Sequence, residues 1–171
     1  EGAAAPHQRR LMAVDLRPLL EPSTTAVVAS ECQNGVLGPE SALPQLAEAA
    51  ADTVVPNGGR LVHAARTAGV AALPIPSFGL SPDDMVLGRY HGLDPIGGTD
   101  LDPVLRNLGI RTVIVVGVSV NVALLGLSIG LVNHGYHVVV PRDAVAGVPR
   151  DYAESLLDNT FRLISTVTTT D

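Results

Sequence analysis

Short runs of apolar, β-branched residues alternate with stretches of helical periodicity along the chain. The clearest run, Thr112–Val118 (TVIVVGV), has the continuous hydrophobic character of a strand buried on both faces. Four further strands are predicted at Thr25–Ser30, Val70–Pro74, His137–Pro141 and Ile164–Thr170. This alternation predicts an α/β fold, in which a doubly wound, Rossmann-like parallel sheet of five to six strands carries helices on both faces.

The helical stretches between these strands are bounded by glycine, proline and capping residues. Gly69 is expected to end the helix before the second strand, and Thr99 or Asp100 to cap the helix that ends near Gly109. A break is predicted at Pro56–Gly59 because proline and glycine interrupt helices. The predicted helices are Leu43 to about Val55, Arg60–Ala68, Thr99 to near Gly109, Val120–Asn133 and Arg150–Leu163.

The length of 171 residues suits one domain of α/β size. Residues 1–23, interrupted by three prolines, are predicted to form an N-terminal arm, and residues 24–171 the α/β domain. The arm has no apolar core of a signal peptide, and every apolar stretch ends before the ~20 residues of a membrane span. A cytoplasmic protein that does not bind membranes is therefore expected.

The residue types that the chain lacks exclude several kinds of site. All 11 basic residues are arginine, which excludes a Schiff-base lysine and a P-loop lysine. The single cysteine, Cys32, excludes an internal disulfide and a cysteine-rich metal site. The net charge of −6 without a basic cluster argues against nucleic acid as a partner. No two of the five histidines have the i, i+4 spacing of a helical metal pair, so neither a metal nor a cofactor is expected.

A ligand of a doubly wound sheet binds at the carboxyl ends of its strands. A site is therefore expected to use the four segments that leave those ends: Glu31–Gly38, Pro76–Asp94, Ser119–Ala123 and Arg142–Gly147.

Three of these segments carry a recognisable pattern. The stretches VVASECQNGV, GTDLDPVLRNLGIRTVIVVGVSVNV and NHGYHVVVPRDAVAG occur in this order. Together they resemble the isochorismatase-like hydrolases, a cysteine hydrolase superfamily, from about Thr24 to Thr170. The resemblance implies a site with a cysteine nucleophile, an aspartate base and a lysine that orients or polarises the substrate. It also implies a non-proline cis peptide near Ser119 and a structural role for Asp143.

The chain departs from this pattern at all three catalytic positions. Glu31 stands at the aspartate position and Ala123 at the cysteine position, while the lysine position falls on Tyr90, or on Arg89 if the loop is one residue longer. An alanine methyl group cannot attack a carbonyl carbon. Cys32 neighbours Glu31 on a strand, so its thiol is expected on the opposite face, buried in the core.

Two hypotheses remain open. In the first, the protein is a non-catalytic binding or structural subunit of an oligomer. In the second, it is an atypical hydrolase of a vinyl ether, amide or ester of a small acid. Glu31 would then be the general acid or base, with Arg89, Tyr90 or His91 on the substrate. The expected substrate-binding residues are Gln33, Ser119 and Asn121. Ala123 keeps its backbone N–H group at the start of a helix, where it can bind a small-molecule acid or a carbonyl.

The predicted helix Val120–Asn133 is apolar nearly all round, so more than one of its sides must be covered. A homodimer or larger homo-oligomer through this helix is expected, with an active paralogous subunit as a further partner. The G-x-S-x-G pattern of Gly126–Gly130 is not a nucleophile elbow, because Ser128 lies two turns into the helix instead of directly after a strand. Gly126 and Gly130 instead predict a face that allows close backbone approach.

Overall fold

The computed structural model describes residues 15–73, 82, 84–89 and 91–171. Six parallel strands form one sheet in the order β2-β1-β3-β4-β6, with the short β5 paired to the end of β3. The strands are β1 (Thr25–Ser30), β2 (Ala71–Leu73), β3 (Thr112–Val118), β4 (His137–Pro141), β5 (Val145–Ala146) and β6 (Thr166–Thr168). The predicted α/β class and parallel sheet are confirmed.

Helices cover both faces of the sheet. One face carries α1 (Asn34–Leu37), α2 (Pro44–Ala51) and α3 (Val54–Thr67), which pack on β1 and β3 through Val27 and Val116. The other face carries α4 (Pro95–Gly98), α5 (Leu101–Asn107), α6 (Ala123–Asn133) and α7 (Arg150–Leu156), and α8 (Arg162–Ile164) follows α7 across a π-helical turn, Leu157–Phe161. The strand order and the helices on both faces are those of a doubly wound fold.

The helix break predicted at Pro56–Gly59 is wrong. The interruption lies at Asp52 and Thr53, and α3 runs unbroken through the Pro-Asn-Gly-Gly stretch. Pro56 is the third residue of α3, where a backbone N–H group has no partner within the helix, so the missing donor costs nothing. Gly58 packs its backbone into the core, where it is buried.

Several other boundaries differ from the predicted ones by a few residues. Helix α6 starts at Ala123 instead of Val120, because the chain between them forms the turn that leaves β3. The segment Arg142–Gly147, which the sequence predicts to leave β4, contains β5, and β5 pairs with Gly117 and Val118 of β3. Gly69 follows the end of α3 in a left-handed conformation, φ 71°, as predicted. Pro74 of the predicted second strand and residues 1–14 of the predicted arm lie outside the described residues.

Gly117 allows the carboxyl ends of β1 and β3 to approach closely. Its φ of 111° lies in a region that side chains rarely adopt. A Cβ atom there would lie 2.2 Å from the carbonyl oxygen of Ser30 and 2.5 Å from the Sγ atom of Cys32. The glycine therefore fixes where the segments after β1 and β3 begin. Within the described part of the chain, no helix is long and apolar enough to cross a membrane.

Candidate functional site

Glu31 is the first residue after β1 and has an unusual backbone conformation. Its φ is 57°, in the left-handed region, and it is the one non-glycine residue with a positive φ in the described part of the chain. An Nη2 atom of Arg89 forms an ion pair with Oε1 of Glu31, although the two residues are far apart in the sequence. The Gln33 amide nitrogen lies 3.4 Å from the other carboxylate oxygen. The turn after β1 thus directs a carboxylate towards the connection between β2 and α4.

Arg89 is held from two sides. Besides the pair with Glu31, its Nη1 group donates a hydrogen bond to the carbonyl oxygen of Leu93 at 3.1 Å. The side chains of Arg89 and Glu31 keep only 23% and 20% of their exposure. From the sequence, either Arg89 or Tyr90 could occupy the lysine position next to Glu31. The geometry brings the guanidinium of Arg89 to Glu31, and Tyr90 lies outside the described residues.

The Glu31–Arg89 pair borders a cavity of about 370 Å³, here called the Glu31 cavity, at the carboxyl ends of β1 and β2. Gln33 and the hydroxyl-bearing residues Ser30 and Thr99 also line it. The Thr99 hydroxyl donates to the Pro95 carbonyl at 2.7 Å and accepts from the N–H group of Leu101 at 3.0 Å. The apolar walls include Val28, Leu73, Met85, Leu87, Pro95 and Leu101. Its size falls in the usual range of small-molecule pockets, roughly 300–1,000 Å³.

Ser119 and Asn121 line a different cavity, of about 360 Å³, between the turn after β3 and the start of α2. The peptide bond between Val118 and Ser119 is cis, as the resemblance implies. The side-chain amide of Asn121 donates to the carbonyl oxygen of Val148 at 2.9 Å, and its own oxygen is buried without a partner in the described part of the chain. The predicted substrate-binding residues are therefore divided between two cavities.

Ala123 is the first residue of α6 and is only 6% exposed. Among the described residues its N–H group has no hydrogen-bond partner, as expected for the first turn of a helix. Ala123 does not line either of the two cavities.

Cys32 is fully buried in the core on the α1–α3 face of the sheet, where the sequence predicts it. Burial raises the pKa of its thiol to about 12. Its Sγ atom lies 3.2 Å from the carbonyl oxygen of Ser30. The thiol is thus protonated and inaccessible at neutral pH.

Two further predicted residues have clear positions. His91 is exposed in the connection before α4. Asp143 joins distant parts of the chain, because its carboxylate accepts from the Thr170 N–H group at 2.9 Å and its carbonyl accepts from the Asn57 amide at 2.8 Å. These bonds support the structural role that the resemblance implies for Asp143.

The glycine face of α6 contacts the same chain. A Cβ atom at Gly126 would lie 3.6 Å from the Leu93 carbonyl, and one at Gly130 would lie 3.0 Å from the Asp94 carboxylate oxygens. The two glycines therefore allow the segment before α4 to lie close on the helix, as their spacing predicts. Another side of α6 remains exposed at Ile129 and Val132, together with Val122 directly before the helix.

The segment Pro76–Asp94, which is expected from the sequence to contribute to the site, includes the wall residues Met85–Gly88. The sequence did not single out these residues, nor Thr99 and Leu101, as lining the cavity. Its further signal was the unusual length of the connection that contains or directly precedes them. In the described ranges, no group of three or more histidine, cysteine or carboxylate side chains is arranged to hold a metal ion.

Comparison with solved structures shows the same fold in several proteins. An isochorismatase family protein from Burkholderia thailandensis is 24% identical, with a TM-score of 0.72 over 86% of this chain and 92% of that one. An N-carbamoylsarcosine amidase from Thermoplasma acidophilum is 20% identical, with a TM-score of 0.72 over 86% and 97%. A cysteine hydrolase from Pseudomonas syringae pv. phaseolicola is 22% identical, with a TM-score of 0.76 over 88% and 91%.

The sequence comparisons give one match. No curated protein sequence matches the chain significantly. The model of the isochorismatase domain family matches residues 71–171, more than half of the chain. This match covers β3, the turn after it and α6, where the sequence pattern resembles that of the family. The chain therefore belongs to the isochorismatase family.

Proposed function

We propose that this protein is a member of the isochorismatase family that has lost the Asp-Lys-Cys triad and binds a small molecule without transforming it. The observation that carries the proposal is the buried methyl group of Ala123 at the position that matches the family's nucleophile. An acyl-enzyme mechanism needs a nucleophile next to a base, and a methyl group cannot form a covalent intermediate. The cavity beside Glu31 and Arg89 supplies room for a ligand.

Cys32 does not replace the missing nucleophile. A thiolate is the reactive form of cysteine, and burial raises the pKa of this thiol to about 12. Its side chain also contacts the core on the far face of the sheet from the cavity.

A hydrolase assay tests the proposal. The purified full chain is incubated with amides, esters and vinyl ethers of small acids, and product release is followed with an active cysteine hydrolase as the positive control. We expect no release above the buffer background, while a subset of the compounds raises the melting temperature. Turnover by the protein would contradict the proposal.

A second candidate function rests on Glu31, whose carboxylate borders the cavity. In this alternative, Glu31 transfers a proton in a hydrolysis that needs no cysteine. The ion pair with Arg89 already occupies one oxygen of the Glu31 carboxylate. If turnover is found, Glu31→Gln separates the two functions: complete loss of activity supports this role, and unchanged activity excludes it. Glu40→Gln, an exposed change of the same type, is the control.

We also propose that the protein forms a homo-oligomer through α6, with a second copy of the chain on the exposed stripe of Val122, Ile129 and Val132. Each chain carries a net charge of −6, yet no charged residue occurs from Thr112 to Asn133. Two copies can therefore meet at this helix without bringing like charges together. An active paralogous subunit is the other partner that would fit the same stripe.

A further inference from the structure

The Glu31 cavity contains a balanced pair of charges. Among the described residues that line it, Glu31 and Arg89 are the charged ones, so together they leave the lining electrically neutral. All other described lining residues are apolar or uncharged, and the largest of them are Leu73, Met85, Leu87 and Leu101. A cavity of this kind differs from a site built for an anion, in which a cation is left free for the ligand.

The guanidinium of Arg89 is already engaged on two sides. One of its terminal nitrogens pairs with Glu31, and the other donates to the Leu93 carbonyl. Two of its five N–H groups are thus used, and a ligand carboxylate would take the nitrogen that is paired with Glu31 only by displacing that residue. It would then bring a second negative charge against an apolar wall, where an uncompensated charge is costly.

The uncharged polar groups of the lining offer limited hydrogen bonding. The Thr99 hydroxyl is used by Pro95 and Leu101. The Gln33 side chain, in contrast, is exposed and makes one long contact, 3.4 Å, to Glu31. Polar groups on a ligand can therefore be met near Ser30, Gln33 and Glu31, while the rest of the ligand gains from apolar contact.

From this geometry we infer that the cavity selects an uncharged, mainly apolar small molecule with a hydrogen-bonding group at one end, and that the Glu31–Arg89 pair sets this choice by neutralising the only cation of the described lining. The inference rests on the proposed binding function and specifies its ligand class. It narrows the small-molecule acid or carbonyl that the sequence leaves open to an uncharged ligand.

Calorimetric titration at pH 7 with matched probes tests the inference. Cyclohexanecarboxamide and cyclohexanecarboxylate have nearly the same shape and differ in charge, and cyclohexylmethylammonium supplies the opposite charge. The full chain should bind the amide at least tenfold more tightly than either ion. In Glu31→Gln the free guanidinium should reverse the order and favour the carboxylate at least tenfold. In Arg89→Gln the unpaired carboxylate should favour the ammonium ion.

Glu40→Gln and Arg111→Gln change the same charges at exposed positions and should keep the wild-type order. Thermal unfolding checks that each variant is folded. If one of the cavity variants, Glu31→Gln or Arg89→Gln, does not fold, the other is enough for the test. Equal or tighter binding of the carboxylate by the wild type overturns the inference but leaves the proposed binding function standing. The inference is also overturned if the order of affinities for the three probes stays as in the wild type in every folded cavity variant. Absence of binding by every probe overturns the inference and the binding function together, whereas catalysis is judged separately by the hydrolase assay.

Discussion

At the scale of single residues, the conformation of Glu31 makes a measurable prediction. Its φ of 57° is unfavourable for a residue with a Cβ atom by about 1 kcal/mol, whereas glycine adopts it freely. Glu31→Gly and Glu31→Ala both remove the ion pair with Arg89. The difference between their free energies of unfolding therefore reports the cost of the left-handed backbone conformation. We expect the glycine variant to have the larger free energy of unfolding in urea, by about 1 kcal/mol.

The same pair of substitutions at Glu40 provides the control. Glu40 is exposed and has no positive φ, so glycine there should only loosen the unfolded chain and be less stable than alanine. If Glu31→Ala is as stable as Glu31→Gly, the left-handed conformation at this position is not supported.

Individual site residues could be predicted from the sequence in identity but not in conformation. Glu31 and Ala123 are assigned to catalytic positions by the resemblance to the family, and their assignment stays a prediction. The partner of Glu31 is not assigned in this way, because a loop that is one residue longer or shorter exchanges Arg89 for Tyr90. The left-handed turn at Glu31 also leaves no mark in the sequence, since glutamate has no preference for it and tertiary contacts impose it.

At the scale of secondary structure elements, two glycines are expected to respond in opposite ways to alanine. A Cβ atom at Gly117 in β3 would overlap the Ser30 carbonyl and the Cys32 sulfur in a backbone region that alanine avoids. Gly117→Ala should therefore lower the free energy of unfolding by about 2 kcal/mol or more. Gly59 lies inside α3 with no atom near its missing side chain. Gly59→Ala should raise the free energy of unfolding by about 0.5–1 kcal/mol.

Urea unfolding of both variants measures the two effects. A stable Gly117→Ala variant would mean that the ends of β1 and β3 are farther apart than described. A destabilised Gly59→Ala variant would place the helix break where the sequence suggested it, at Pro56–Gly59.

The elements that the sequence predicted best are the ones whose pattern is purely local. The runs Thr112–Val118 and Thr25–Ser30 match β3 and β1 residue for residue, because continuous β-branched sequences suit strands buried on both faces. The break before α3 was misplaced, since the effect of Pro56 depends on its position within a helix that the local sequence does not fix. The two-residue β5 was missed because its pairing with β3 is a long-range contact.

At the scale of the whole molecule, two buried groups are expected to lower the stability at alkaline pH. Burial raises the pKa of the Cys32 thiol from 9.0 to about 12. Burial and the neighbouring Asp102 raise that of the Tyr136 hydroxyl from 10.0 to about 12. Both groups keep their protons in the folded chain at pH values where the unfolded chain releases them. Their contribution to stability is complete below pH 9 and is lost as the pH rises towards 12.

Urea unfolding between pH 8 and pH 12 should therefore show a falling free energy of unfolding above pH 9. The double variant Cys32→Ala, Tyr136→Phe should flatten this fall, and Tyr152→Phe, which changes an exposed tyrosine, should not. A double variant with the wild-type slope would show that other groups control the alkaline limit.

The last prediction concerns the assembly. If two copies meet on the stripe of α6, multi-angle light scattering at micromolar concentration should give at least twice the chain mass. Ile129→Glu should reduce it to the monomer mass, because a carboxylate on an exposed apolar stripe would face a chain of the same net charge. Leu163→Glu is the matched control, since Leu163 is 85% exposed but lies on α8.

A monomeric wild type would contradict the proposed interface. An oligomeric Ile129→Glu variant would show that the chains associate through another surface.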